Sequence, residues 1–267
     1  MTVPRMTVLV VGATGSVGRL VVEEALRQGH AVRALVRAPG KTRRLPPDAQ
    51  VVPGDVTRPD TLPGAVDGVN AIIFTLGSDG AGKVGAQRPG CAGFADSAHR
   101  ADDRHRSHQP RTGAYNRVTE AHDWKRRSER LVRASGLPYT IVRPGWFDYN
   151  GPDEHQLVLL QGDTHQAGDS SDGVIARRQI AEVLVHSLGS DRALRKTFEL
   201  IATTGSAPDD FDALFAPLAA DPQGALDGVR DMANQPLKDE PKRVRDDLDG
   251  VLARRPVTAS LHSLLEK

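Results

Sequence analysis

Seven residues near the start of the chain, Gly12-Ala13-Thr14-Gly15-Ser16-Val17-Gly18, carry three glycines at a spacing that suits a phosphate-binding turn. Glycine at the first position permits a tight turn. A missing side chain at the second lets backbone approach a pyrophosphate, and the third lets a helix pack closely on the strand before it. The amides from Thr14 to Val17 would then meet phosphate at the start of that helix. Glycines also punctuate loops for structural reasons alone, so the flanking elements decide what such a triplet means.

Those elements fit. Thr7-Val8-Leu9-Val10-Val11 is a continuous apolar, β-branched run, as expected of a parallel strand buried on both faces. Val17, Leu20, Val21, Ala25 and Leu26 then recur at helical spacing, and Gly29 supplies a stop. The triplet therefore sits between a buried strand and an amphipathic helix, the context of a dinucleotide site. Ala31–Val36, residues 50–52, Asn70–Thr75, Tyr139–Arg143 and Thr197–Ala202 read as further strands. Helices are expected over Asp60–Val66, Ala121–Ser135 and Arg178–Leu188. Alternating strand and helix implies an α/β fold, a Rossmann-type doubly wound parallel sheet over residues 1–204. Residues 205–267 read as a helical C-terminal tail. Its stripes, at Phe211, Leu214, Phe215 and Leu218, at Leu226, Val229 and Met232, and at Val244, Leu248, Val251 and Leu252, predict three short helices.

The end of the second strand bears on cofactor choice. An acid there would accept from the ribose hydroxyls of NAD(H), whereas a basic residue suits the 2′-phosphate of NADP(H). Val36-Arg37-Ala38-Pro39-Gly40-Lys41 holds no acid, and the planar fork of Arg37 can grip a phosphate bidentately. NADP(H) is thus expected in preference to NAD(H), the alternative for Arg37 being a solvated surface charge. Asp55 and Val56, after the third strand, would lie beside the adenine. Leu76 and Gly77, after the fourth, would lie beside the nicotinamide-side ribose.

Taken together, GATGSVG, Gly54-Asp55-Val56, the helix carrying Lys125 and the run Ser135-Gly136-Leu137-Pro138-Tyr139-Thr140-Ile141-Val142-Arg143-Pro144-Gly145 resemble an atypical short-chain dehydrogenase/reductase of the NAD(P)H-binding, NmrA-like group. The resemblance covers residues 6 to 204. It implies that Pro144-Gly145 lines the nicotinamide pocket and that the segment of Arg177 and Ile180-Ala181 returns to the substrate cleft. In active members a tyrosine four residues before a lysine exchanges the proton while hydride moves, and the lysine binds the nicotinamide ribose. Here the residue four before Lys125 is Ala121. Tyr115 lies ten residues before Lys125 and could serve as the acid if its loop folds over the cleft. Lys125 is the expected ribose ligand, although Lys125-Arg126-Arg127 equally fits a solvated basic face, and Glu129 one turn on could pair with Lys125.

Two functions follow from the resemblance. One is an NADP(H)-dependent oxidoreductase acting on a small carbonyl or alcohol, with Trp146, Phe147 and Tyr149 lining a substrate cleft unless they are core or lid residues. The other is a sensor whose partner surface shifts on binding NADP(H) without turnover, which the missing tyrosine favours. An epimerase or dehydratase would need the same absent tyrosine.

One segment breaks the pattern. Between Gly85 and Thr112 a helix and a fifth strand should occur, yet that stretch has one Phe and no Val, Ile or Leu, so no buried parallel strand is expected there and residues 78 to 113 should be irregular. His99, His105 and His108 match no zinc spacing, so no metal is expected. Read one nucleotide later, degenerate codons for Ala101–Gln109 permit Leu-Met-Thr-Ala-Ile-Gly-Val-Thr-Asn, a strand sequence. Residues 87–111 thus read as out of frame.

Composition sets the remaining bounds. Lys plus Arg total 35 against 34 for Asp plus Glu, giving no field that would draw nucleic acid or an anionic membrane. A lone Cys91 excludes an internal disulfide, and no apolar run matches a membrane span. The expectation is a cytoplasmic monomer or homodimer acting on a small molecule.

Overall fold

The computed structural model describes residues 4–76, 92–95, 121–162 and 169–254. Strands β1 (Thr7–Val11), β2 (Ala31–Val36), β3 (Gln50–Pro53), β4 (Ala71–Phe74), β5 (Ala92–Ala95), β6 (Tyr139–Pro144), β7 (Trp146–Phe147), β8 (Gln156–Leu160), β9 (Val174–Ile175) and β10 (Lys196–Thr203) join one sheet. Its order is β3-β2-β1-β4-β5-β6-β10-β9-β7, with β8 antiparallel to β10. Every neighbour from β3 to β10 along that path pairs in parallel. The helices are α1 (Ser16–Arg27), α2 (Pro63–Val66), α3 (Ala121–Ala134), α4 (Arg177–Leu188), α5 (Phe211–Phe215) and α6 (Lys242–Leu252).

The period of two along β1 splits its side chains between two layers. Val8 and Val10 join Ala34 beneath Val17, Val21 and Ala25 of α1 and Ile180 and Leu184 of α4. Leu9 and Val11 join Leu35, Phe74 and Ile141 beneath Ala65 of α2 and Val132 of α3. Chain order reverses between β1 and β4, so their carboxyl ends, at Gly12 and Thr75, frame the crevice where doubly wound sheets bind ligands. Among the described residues no helix is long and apolar enough to cross a membrane.

Three expectations need correction. A central parallel strand does arise in the anomalous segment: Ala92–Ala95 pairs with both β4 and β6. Ladder bonds are made by backbone groups, so apolar composition is not a condition for forming them. The tail forms α5 and α6, but residues 226–232 are not helical. Pro222, Gly224 and Gly228 interrupt any helix there, and the carboxylates of Asp221, Asp227 and Asp231 are each held by arginines. Arg126 and Arg127 are not a solvated face either. Both are buried, Arg126 against Asp227 and Arg127 against Glu240.

Candidate functional site

The turn after β1 is built so that side chains cannot enter it. Gly12 has φ of +90°, and a Cβ there would lie 2.8 Å from Thr75 Oγ1. At Gly18 a Cβ would lie 2.1 Å from the Gly12 carbonyl oxygen, closer than any real contact, while at Gly15 the same oxygen is 3.1 Å away. Gly15 N donates to Gly12 O at 2.8 Å, closing the turn, and the first helical bond runs from Arg19 N to Gly15 O. The N–H groups of Ser16, Val17 and Gly18 are therefore left pointing out of the α1 N-terminus. No acid occupies that first turn. Thr14, Gly15 and Ser16 are exposed, whereas the Val17 side chain packs in the core, leaving its amide as the group that can meet a ligand. This cradle of bare backbone and positive dipole fits a pyrophosphate.

Thr75 Oγ1 donates to Val11 O at 3.0 Å and pins the end of β4 against the glycine turn. Leu76 follows, partly buried, and Gly77 lies outside the described residues. Arg37 is exposed at the end of β2. Beyond it, the short 3-10 helix Pro39–Arg44 adds exposed Arg43 and Arg44 to the same edge, two cations that sequence reasoning passed over. Asp55 is fixed by a local turn: its Oδ1 accepts from Thr57 N at 2.9 Å and from Thr57 Oγ1 at 2.8 Å. These bonds hold its carboxyl below the usual range, with Arg37 and Arg58 adding attraction. Val56 is partly buried beside it.

Across the crevice, Pro144 ends β6 buried and paired in register with Leu200. The chain then turns through Gly145, where a Cβ would lie 2.6 Å from Gly173 O, into Trp146, Phe147, Asp148 and Tyr149. Trp146 and Tyr149 meet edge to face at 6.2 Å between ring centroids, and Tyr149 is exposed. Asp148 forms an ion pair with Arg177, the first residue of α4. Arg177 also donates from Nε to Ser16 Oγ at 3.1 Å and lies over the Phe147 ring at 4.9 Å. Asp148 and Arg177 stand 29 residues apart in sequence, so no local spacing signalled their pairing.

Lys125 is half-buried on α3. Glu129, one turn on, is buried and gripped by Arg143 at 2.7 Å and Arg133 at 3.2 Å. Burial pushes its carboxyl up, but these two guanidiniums outweigh that and hold it below its ordinary value. Tyr115, His99, His105 and His108 lie outside the described residues.

A family model described as NAD(P)H-binding matches residues 12–191. Sanguinarine reductase of Eschscholzia californica is 25% identical, the match covering 79% of this chain and 96% of that one. The uncharacterised sugar epimerase YhfK of Bacillus subtilis is 29% identical over 76% of this chain and 96% of its own. Among solved structures, the oxidoreductase YlbE of Lactococcus lactis superposes with a TM-score of 0.59 at 16% identity, covering 79% of this chain and 96% of that one. That last likeness is one of fold.

Proposed function

The chain belongs to the NAD(P)H-binding family, and on that premise we propose that it is an NADP(H)-dependent oxidoreductase of the atypical short-chain dehydrogenase/reductase type, acting on a small carbonyl or alcohol. The observation that carries this reading is the Gly12–Gly18 cradle, in which a Cβ at Gly18 would collide with Gly12 O at 2.1 Å and the first amides of α1 face outward. In this reading Gly12, Thr14, Gly15, Ser16, Val17 and Gly18 hold the pyrophosphate through backbone and hydroxyl groups. Asp55 and Val56 border the adenine, while Leu76, Gly77 and Pro144 border the nicotinamide half.

Arg37 takes the 2′-phosphate. Its exposed guanidinium, with Arg43 and Arg44 beyond it and no acid at the end of β2, supports NADP(H) over NAD(H). A reduced nicotinamide held there would supply the hydride. Lys125 steadies the ribose, and Tyr115 is the proposed proton donor. The Trp146–Tyr149 pair offers an aromatic wall to a substrate, and similarity to a protein named a reductase supports the redox direction.

A second reading, a non-catalytic NADP(H) sensor, is favoured by one observation: Ala121 stands where the proton-donating tyrosine is expected, four residues before Lys125. Adding aldehydes, ketones and quinones to the NADPH-loaded chain and following cofactor oxidation separates the two. Turnover with any of them supports the enzyme; tight binding with no turnover supports the sensor.

A further inference from the structure

Arg177 is a cation at the wrong end of its helix. It is the first residue of α4, where the backbone dipole is positive, and its Nε reaches Ser16 Oγ, the first side chain of α1, at 3.1 Å. A guanidinium placed between two helix N-termini is repelled by both unless an anion joins it. Among the described residues, Asp148 supplies such an anion. Its Oδ1 accepts from Arg177 N at 3.0 Å and its other oxygen pairs with the guanidinium.

Asp148 has φ of +58°, in the left-handed region that Asp and Asn enter more readily than other residues with a Cβ. Asp148 N donates to Ile175 O at 2.9 Å, which fixes the turn. The Arg177 side chain retains 25% exposure and that of Asp148 49%, so the pair opens to solvent beside the glycine cradle.

We propose that Arg177 is a phosphate ligand of the dinucleotide, and that Asp148 is an internal counter-anion that the pyrophosphate displaces from it. The inference rests on the cofactor reading above. An anion arriving at the α1 N-terminus lies beside Ser16, within one side chain of the guanidinium. Arg177 then exchanges a half-exposed carboxylate for a doubly charged group, while the Asp148 carboxylate keeps its hydrogen bond to Arg177 N and so continues to cap α4.

Three ligands, NADPH, inorganic pyrophosphate and adenosine, test this by calorimetry or by competition against NADPH fluorescence. Arg177→Gln should weaken NADPH and pyrophosphate by about tenfold and leave adenosine unchanged. Arg177→Lys, which keeps the charge but loses the fork, should fall between. Asp148→Asn, which keeps the capping oxygen but removes the competing charge, should tighten NADPH and pyrophosphate several-fold. Arg177→Gln binding NADPH as wild type does, or losing adenosine to the same extent as NADPH, overturns the proposal. So does Asp148→Asn weakening both phosphate ligands, which would make the pair a fixed strut. Failure of the wild-type chain to bind any dinucleotide would instead overturn the cofactor reading itself.

Discussion

Gly18 faces the carbonyl oxygen of Gly12 so closely that a Cβ would sit 2.1 Å from it. Because the obstructing atom is backbone, it cannot swing aside. Gly18→Ala must therefore push α1 off the end of β1, with a stability loss of about 1–3 kcal/mol and loss of dinucleotide binding. Urea denaturation and NADPH titration of the variant check both parts. Near-native affinity would show that the turn is not the phosphate cradle.

Arg130 is the centre of the charged seam that joins α3 to the tail. Its side chain is 1% exposed and bonds Asp227 at 2.7 Å, Glu240 at 3.0 Å and the Gln235 carbonyl at 2.7 Å. Removing one member of a buried ionic cluster leaves the others desolvated and unpaired, so Arg130→Met should cost about 3–5 kcal/mol in urea denaturation. A loss under about 1 kcal/mol would mean that the tail is not held by this seam.

Glu199 on β10 is the weak point of the neighbouring cluster. Among the described residues its Oε1 has no hydrogen-bond partner, and it reaches Arg143 only as a long ion pair at 3.7 Å. Burial, aided by repulsion from Asp231 and Glu129 and opposed by Arg143, pushes its carboxyl from 4.5 up to about 7. Between those values the folded chain binds a proton that the unfolded chain has released. The stability contributed is therefore full below pH 4.5 and lost as pH rises through about 7. Glu199→Gln should abolish this component and leave the variant more stable than wild type at about pH 8, by about 1–3 kcal/mol. Glu129 and Asp227, whose carboxyls are held low, act at the acid end and are common to both proteins. Parallel stability curves for the two proteins would contradict the assignment.

Residues 87–111 carry a separate proposal: that they are read out of frame. Resequencing the gene checks the reading frame directly. A chain in which Ala101–Gln109 is replaced by Leu-Met-Thr-Ala-Ile-Gly-Val-Thr-Asn should melt several degrees higher, since apolar side chains then become available for burial. No gain in thermal stability, with the present frame verified, would dismiss the idea.

The β1–turn–α1 unit was legible because its signals are local: an apolar run, three glycines and a helical stripe lie within twenty-odd residues. The charged seam was not. Arg126, Arg130 and Arg133 fall at helical spacing and resemble a solvated face until their partners are known, and Asp227 lies 101 residues from Arg126. Strand β8 was missed although Leu157-Val158-Leu159-Leu160 is an apolar run that could have revealed it. The Asp148–Arg177 pair depends on a positive φ and on two elements meeting at one end of the sheet, neither of which residue types encode.

Equilibrium titration of the purified chain with NADPH and with NADH, repeated on Arg37→Gln, probes the cofactor assignment most directly. NADPH should bind at least about tenfold tighter than NADH to the wild-type chain, and the preference should collapse to near parity in the variant. NADH binding as tightly as NADPH, or a preference untouched by Arg37→Gln, would contradict it.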